Sequence, residues 1–273
     1  MATEIETEKR RRRAMWSDLL AEGGPNRVQP SLLRKLRIYG GAQGIWVDRE
    51  VTSSVAEKGV TVGLLHTGLH YPDELDEDGI IYHYPETKRT GRRDEAEIAA
   101  TKAASTNQIP VFVITRPGPS SAIRNVHMAW VEGWDDNERW FLVTFGGAPP
   151  SEPIDPVTDQ IPFQLLEERP RRPVEGRSRP GQHRFKFQVL RRYGATCAMC
   201  DLQVRELLEA AHIVPDEKNG SNDPRNGLVL CRNHHVALDR GLLAIHPESL
   251  EIHIRRDGPD NLPEQPPAGD RHI

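Results

Sequence analysis

Cys197 and Cys200 form a C-x2-C pair in "CAMC", and Cys231 with His234 forms a C-x2-H pair further along the chain. These pairs take up all 3 cysteines of the 273 residues. Three cysteines are too few for a disulfide scaffold, and thiols so placed beside a histidine in a chain without secretory character point to a metal. Zinc takes four tetrahedral sulfur and nitrogen ligands, and two short-spaced pairs offered by two turns meet that geometry at small entropic cost. The competing reading is three unpaired thiols. A structural zinc site of this kind contributes ~10 kcal/mol or more to folding, which would explain how so short a segment holds together.

Between the two pairs, "LLEAAHIVP" reads as an apolar strand carrying His212, followed by a loop rich in Asn, Gly and Asp that reaches Asn226. After the second pair, "HHVALD" reads as the start of a helix, on which His235 and Asp239, four apart, share one face. A strand histidine, a loop asparagine and a helix presenting His and Asp suit metal-assisted phosphodiester hydrolysis. In that chemistry His212, neutral at physiological pH, takes a proton from the attacking water. A divalent cation on His235 and Asp239 stabilises charge on the phosphate and the leaving oxygen. Asn226 orients the loop and holds the His212 ring. The competing reading makes His212 a core histidine and Asp239 a surface helix charge.

The stretch from Gly181 to Ile245, "GQHRFKFQVLRRYGATCAMC" through "LLEAAHIVP" to "NGLVLCRNHHVALDRGLLAI", resembles an HNH endonuclease domain, the ββα-metal nuclease fold. The resemblance implies His212 as general base, Asn226 as the middle asparagine and His235 as the terminal metal-binding histidine. Asp239 falls where some members place a further ligand, and Mg²⁺ or another divalent cation is the implied catalytic metal beside structural Zn²⁺. One position departs from the pattern: many members carry Asp or His directly before the base histidine, where this chain has Ala211. Three consequences stand open. His235, Asp239, phosphate and water hold the metal, or a same-face neighbour such as Glu209 helps, or catalysis is weak.

Upstream, from about 29 to 146, short β-rich runs ("GIWV", "GVTVGLL", "GIIYHY", "PVFVI", "VHMAWVEGW", "RWFLVTF") are spaced by turn signals, with one helical stretch, "RRDEAEIAATKAAST". This pattern predicts an α+β domain built on a curved sheet or partial barrel. Its segment "GLHYPDELDEDGIIYHYPETKRTGRRD" packs Tyr71, Tyr82 and Tyr84 around carboxylates that include Asp73 and Glu74. Carboxylates repel phosphate but accept a hydrogen bond from a cytosine amino group while aromatic rings stack on a flipped base. An acidic turn with core-packing tyrosines is the alternative.

The order "GVTVG", "YPDELDEDGIIYHY", "GRRD", "IPVFVI", "VHMAWVEGWDDNERWFLVTF" is similar to the SRA domain, a PUA-like barrel that flips out 5-methylcytosine or 5-hydroxymethylcytosine. The resemblance implies Tyr71 as first stacking ring, Asp73 or Glu74 as the amino-reading carboxylate, and Tyr84 or Tyr82 as second aromatic. An SRA-like reader joined to an HNH nuclease resembles the modification-dependent, type IV-like restriction endonucleases.

The remaining sequence frames these two parts. Residues 1–28 read as a charged arm, 29–146 as the reader, 147–181 as a Pro- and Arg-rich linker, 182–256 as the nuclease, and 257–273 as a disordered tail. Net charge is −4, so phosphate contact depends on local basic patches, with Arg92, Arg93 and Arg184 as candidate DNA-backbone contacts. No secretory signal, membrane span or GxxxxGK[ST] phosphate loop is found, so a cytoplasmic protein with no nucleotide cofactor is expected. The expected partner is double-stranded DNA carrying modified cytosine, and a homodimer is expected because one such site cuts one strand. Two rivals remain: an HNH endonuclease that reads sequence or another modification, and a modified-DNA binder whose nuclease has lost activity.

Overall fold

The computed structural model describes residues 2–41, 44–68, 73–87, 92–118, 121–150, 154, 162–167, 181–246, 249 and 251–255. Tyr71 and the tail 257–273 lie outside them, as does most of the segment read as linker. The chain divides into two compact units, Met1–Asp155 with Arg172–Phe187, and Pro156–Arg171 with Gln188–Ile273.

The segment read as a charged arm is a helix, α1 (Ala2–Ala21), whose buried face carries Glu8, Arg12, Met15 and Leu19. Spacings of four, three and four place these residues on one stripe. Half of the stripe is ionic, which hides it from a hydrophobic reading. Arg12 is fully buried; its Nε donates to Glu8 Oε1 at 2.6 Å and its Nη1 to the carbonyls of Thr61 and Pro110 at 2.9 and 3.2 Å. Burial draws its pKa down to about 10 against the opposing pull of Glu8, so the guanidinium stays charged at neutral pH.

After α2 (Pro30–Lys35) come β1 (Gly44–Val47), α3 (Arg49–Thr52), β2 (Thr61–Leu65), β3 (Glu74–Leu75), β4 (Gly79–His83), α4 (Arg93–Thr106), β5 (Val111–Thr115), β6 (Asn125–Asp135) and β7 (Trp140–Phe145). The seven strands form one curled sheet in the order β1-β2-β5-β6-β7-β4-β3. Only β2 and β5 pair in parallel; the other neighbours are antiparallel. The mixed α+β class expected from the sequence is the one observed, and α4 is the helical stretch "RDEAEIAATKAAST".

Successive residues of β5 explain its unbroken apolar run. Val111 and Val113 join a cluster with Ala104 of α4, while Phe112 and Ile114 join one with Met15 and Leu19 of α1. A strand covered on both faces has no polar side to alternate with. Strand β4 is likewise buried at all five positions.

In the second unit, β8 (Leu208–His212) and β9 (Gly227–Cys231) pair antiparallel, from Leu208 opposite Cys231 to His212 opposite Gly227. Helix α6 (Arg232–Asp239) follows at once and packs on both strands, giving strand, strand, helix in the order the sequence predicts. A second hairpin, β10 (Leu243–Ile245) with β11 (Ile252–Ile254), follows. The boundary between the units falls inside a helix that the sequence pattern did not reveal, α5 (Gln182–Tyr193). Among the described residues no helix is long and apolar enough to cross a membrane.

Candidate active site and zinc knuckle

Cys197, Cys200, Cys231 and His234 converge so that one donor atom from each lies within 4.8 Å of all the others. The individual separations are 3.5 Å from Cys197 Sγ to His234 Nδ1, 3.9 Å between the sulfurs of Cys200 and Cys231, and 3.2 Å from Cys231 Sγ to His234 Nδ1. Tetrahedral ligands about 2.0–2.3 Å from a zinc ion sit roughly 3.5–3.8 Å from one another, so the donor set fits zinc. The Cys231 backbone N–H donates to Cys197 Sγ at 3.2 Å. Burial raises the Cys197 pKa, but this bond, a second backbone bond from Met199 and the His234 contact outweigh it and bring the pKa down to about 6. Burial and the neighbouring sulfurs push Cys200 the other way, up to about 11, so without a metal Cys197 is the thiol of the set poised to ionise first.

The next residue along α6 does something else, because each helical step turns a side chain by about 100°. His234 turns back to the cysteines; His235 turns to β8 and to its own helix. His235 Nδ1 lies 2.7 Å from Glu209 Oε2, and its Nε2 lies 3.5 Å from Asp239 Oδ2. Asp239 is exposed and His235 only partly so. The pairing of His235 with Asp239 read from the four-residue spacing is therefore present. The Asp239 carboxylate is a donor of the kind Mg²⁺ and Mn²⁺ accept, and the neighbouring His235 imidazole adds a nitrogen donor to it.

His212 ends β8 opposite Gly227. Its Nε2 is 3.0 Å from Asn222 Oδ1. Asn226, expected to orient the loop and hold this ring, is fully buried and its side chain binds the chain just beyond His212. Its Oδ1 accepts from the Val214 N–H at 2.9 Å, and its Nδ2 donates to the carbonyls of Val214 and Ser221 at 3.0 and 2.8 Å. The loop is drawn tight around this amide: a Cβ on Gly220 would fall 1.7 Å from the Val214 carbonyl oxygen, so no other residue fits there. The contact on the ring comes instead from Asn222, which nothing in its Asn-rich loop distinguishes by sequence alone.

In the first unit the described base-pocket candidates have different partners. Tyr82 and Tyr84 lie in the core. Tyr82 donates its hydroxyl to the Leu65 carbonyl, and Tyr84 packs on Phe141 and donates to Asp136 Oδ1 at 3.0 Å. Glu74 holds Lys186 Nζ at 2.6 Å. Asp73 is nearly buried between two histidines: Oδ2 accepts from His66 Nδ1 at 3.0 Å, and Oδ1 from the backbone N–H and Nδ1 of His83 at 2.9 and 3.2 Å. Burial pushes the Asp73 pKa up, but these bonds prevail and hold it below the usual carboxylate range. Neither histidine stands out in the sequence, although they flank the acidic segment in "LLHTG" and "IYHYP".

The candidate phosphate contacts also differ from one another. Arg92, with φ 55° ahead of α4, is highly exposed and only 3.8 Å from Glu95, so it is accessible to a phosphate. Arg93 pairs with buried Glu97 at 3.1 Å, and Arg184 with buried Glu132 at 3.2 Å. Those two guanidinium groups neutralise interior carboxylates, a structural demand that competes with DNA contact.

Residues 197–246 match the family model described as HNH endonuclease (HNH_2). The second unit thus carries an HNH endonuclease domain, a metal-dependent DNA endonuclease by class. Among solved structures, the chain is similar to one described as "Modification dependent TagI restriction endonuclease", with 19% identity over 81% of this chain and 78% of that chain. The TM-score is 0.28, an overlap too low to bear on fold or activity. No curated protein matches the chain.

Proposed function

We propose that the protein is a modification-dependent DNA endonuclease, in which the first unit binds modified cytosine by base flipping and the HNH unit cuts the backbone. The observation that carries the cutting role is the pairing of β8 with β9 and the packing of α6 on both, so that one strand–strand–helix unit carries His212, Asn226 and His235 as well as the Cys197, Cys200, Cys231 and His234 donor set. His212 accepts the proton of the attacking water, held by Asn222 on one ring nitrogen. Asn226 fixes the path of the chain that leaves His212. His235 Nε2 and Asp239 hold the catalytic cation, which when bound stabilises charge on the scissile phosphate and the leaving oxygen. The zinc knuckle sets where α6 begins and thereby where His235 points.

The reading role rests on the order of segments that resembles an SRA domain and on Asp73. An ionised carboxylate offers about four acceptor positions. The three histidine contacts leave one, enough to accept from a cytosine amino group. The same geometry favours Asp73 over Glu74, which is engaged by Lys186. With Tyr82 and Tyr84 committed to the core, the stacking ring in this proposal is Tyr71.

Binding of the zinc-loaded full chain, with no added divalent cation, to matched duplexes carrying one cytosine, 5-methylcytosine or 5-hydroxymethylcytosine tests the reading role. A modified duplex should bind at least about tenfold tighter, a difference of roughly 1.4 kcal/mol, and 2-aminopurine beside the modified base should brighten on binding. Equal affinity for all three duplexes would refute it.

A further inference from the structure

The position before the base histidine, where many HNH domains carry a metal ligand, is here Ala211, fully buried and without a donor. Two residues earlier on the same strand, and so on the same face, stands Glu209. Its carboxylate crosses to α6 and meets His235 Nδ1 at 2.7 Å, a hydrogen-bonding distance. Glu209 is more than a third exposed at the side chain, and β8 holds it opposite Leu230, one residue before the knuckle cysteine Cys231.

The geometry points to Glu209 as a positioning residue that compensates for Ala211 by fixing the ring of His235. A carboxylate can only accept, so the imidazole nitrogen facing it must carry the proton. With Nδ1–H donated to Glu209, the lone pair of the neutral ring sits on Nε2, and Nε2 is the nitrogen 3.5 Å from Asp239 Oδ2. Glu209 thus sets both the tautomer and the direction in which His235 and Asp239 offer donors to one cation. It does so without being a ligand: its carboxylate is engaged at Nδ1, on the opposite side of the ring from the Nε2 that faces Asp239. A side chain at 211 reaching directly for the metal is replaced by one at 209 acting through the histidine.

This inference rests on the reading of His235 and Asp239 as the cation site, and its test separates the two. In the zinc-loaded full chain, Mn²⁺ affinity is measured by electron paramagnetic resonance for the parent, Glu209→Ala, the near-isosteric Glu209→Gln, Glu209→Asp and His235→Ala. The ring-nitrogen chemical shifts of His235 are recorded alongside. Glu209→Ala should weaken Mn²⁺ binding by about 10–100-fold, and Glu209→Gln, whose amide oxygen still accepts from Nδ1, by a smaller factor above twofold, with zinc content and melting temperature unchanged in both. Glu209→Asp should restore part of the affinity, and the parent should show the Nδ1–H tautomer that Glu209→Ala loses. If His235→Ala weakens Mn²⁺ binding while both Glu209→Ala and Glu209→Gln stay within twofold of the parent, the positioning role is wrong and the cation site stands. If His235→Ala has no effect either, the cation site itself is wrong and the role of Glu209 falls with it. Should Glu209→Ala fail to fold, Glu209→Gln and the tautomer of the parent decide.

Discussion

His212→Ala lowers the rate of DNA cleavage by about 10²–10⁴-fold, the range by which a positioned general base speeds proton transfer, and leaves the affinity for modified duplex unchanged. The separation follows from where the residue sits. His212 terminates β8 in the second unit, whereas Asp73, assigned to base reading, directly precedes β3 in the first. Its side chain is not part of the knuckle, and the loop beyond it is held by the Asn226 amide through backbone atoms that survive the substitution. Single-turnover cleavage at saturating Mg²⁺ or Mn²⁺, with mobility-shift binding on the same samples, reads both quantities. Cleavage at the parental rate would remove His212 from the reaction.

The neighbouring histidines of α6 give the second large effect, and it is opposite in kind. His234→Ala or Cys197→Ser removes a zinc ligand and unfolds the second unit, because a structural zinc site supplies ~10 kcal/mol or more against a total stability of about 5–15 kcal/mol. His235→Ala, one residue on, leaves folding intact and abolishes metal-dependent cutting. Zinc content by atomic absorption and limited proteolysis of the second unit distinguish the outcomes. The first pair of variants should lose zinc and become protease-sensitive from β8 onward, and the last should retain both zinc and resistance. Zinc retained at one equivalent by His234→Ala would contradict the assignment of that ligand.

The two histidines also show how much is legible in the chain's own chemistry. Ligand spacing and the helical period are enough to separate His234 from His235, and both the knuckle and the contact between His235 and Asp239 follow from local chain geometry. Residues whose roles depend on tertiary neighbours are less visible. Asn222 and Asn226 stand four apart in one polar loop, and only the fold shows that the second clamps the chain around Gly220 while the first meets the His212 ring. Strand β4 is buried on both faces, so "GIIYHY" offers no alternation to reveal that Tyr82 and Tyr84 point into the core while His83 meets Asp73. In α1 the run "EKRRRR" reads as a solvated arm because its buried stripe contains an ion pair, Glu8 with Arg12, among its apolar residues. Glu209 is visible in the sequence as a neighbour able to offset Ala211; its contact with Nδ1 of His235 turns it from a ligand candidate into a residue that aims one.

The central claim is that cutting requires both a divalent cation and a modified base. Otherwise identical plasmids carrying cytosine, 5-methylcytosine or 5-hydroxymethylcytosine, each incubated with the zinc-loaded full chain in Mg²⁺, in Mn²⁺ or with no added divalent cation, test it most directly. Nicked and linear products should appear only with a modified plasmid and a divalent cation together. Cleavage of the unmodified plasmid at the same rate, or undiminished cleavage without an added divalent cation, would contradict it.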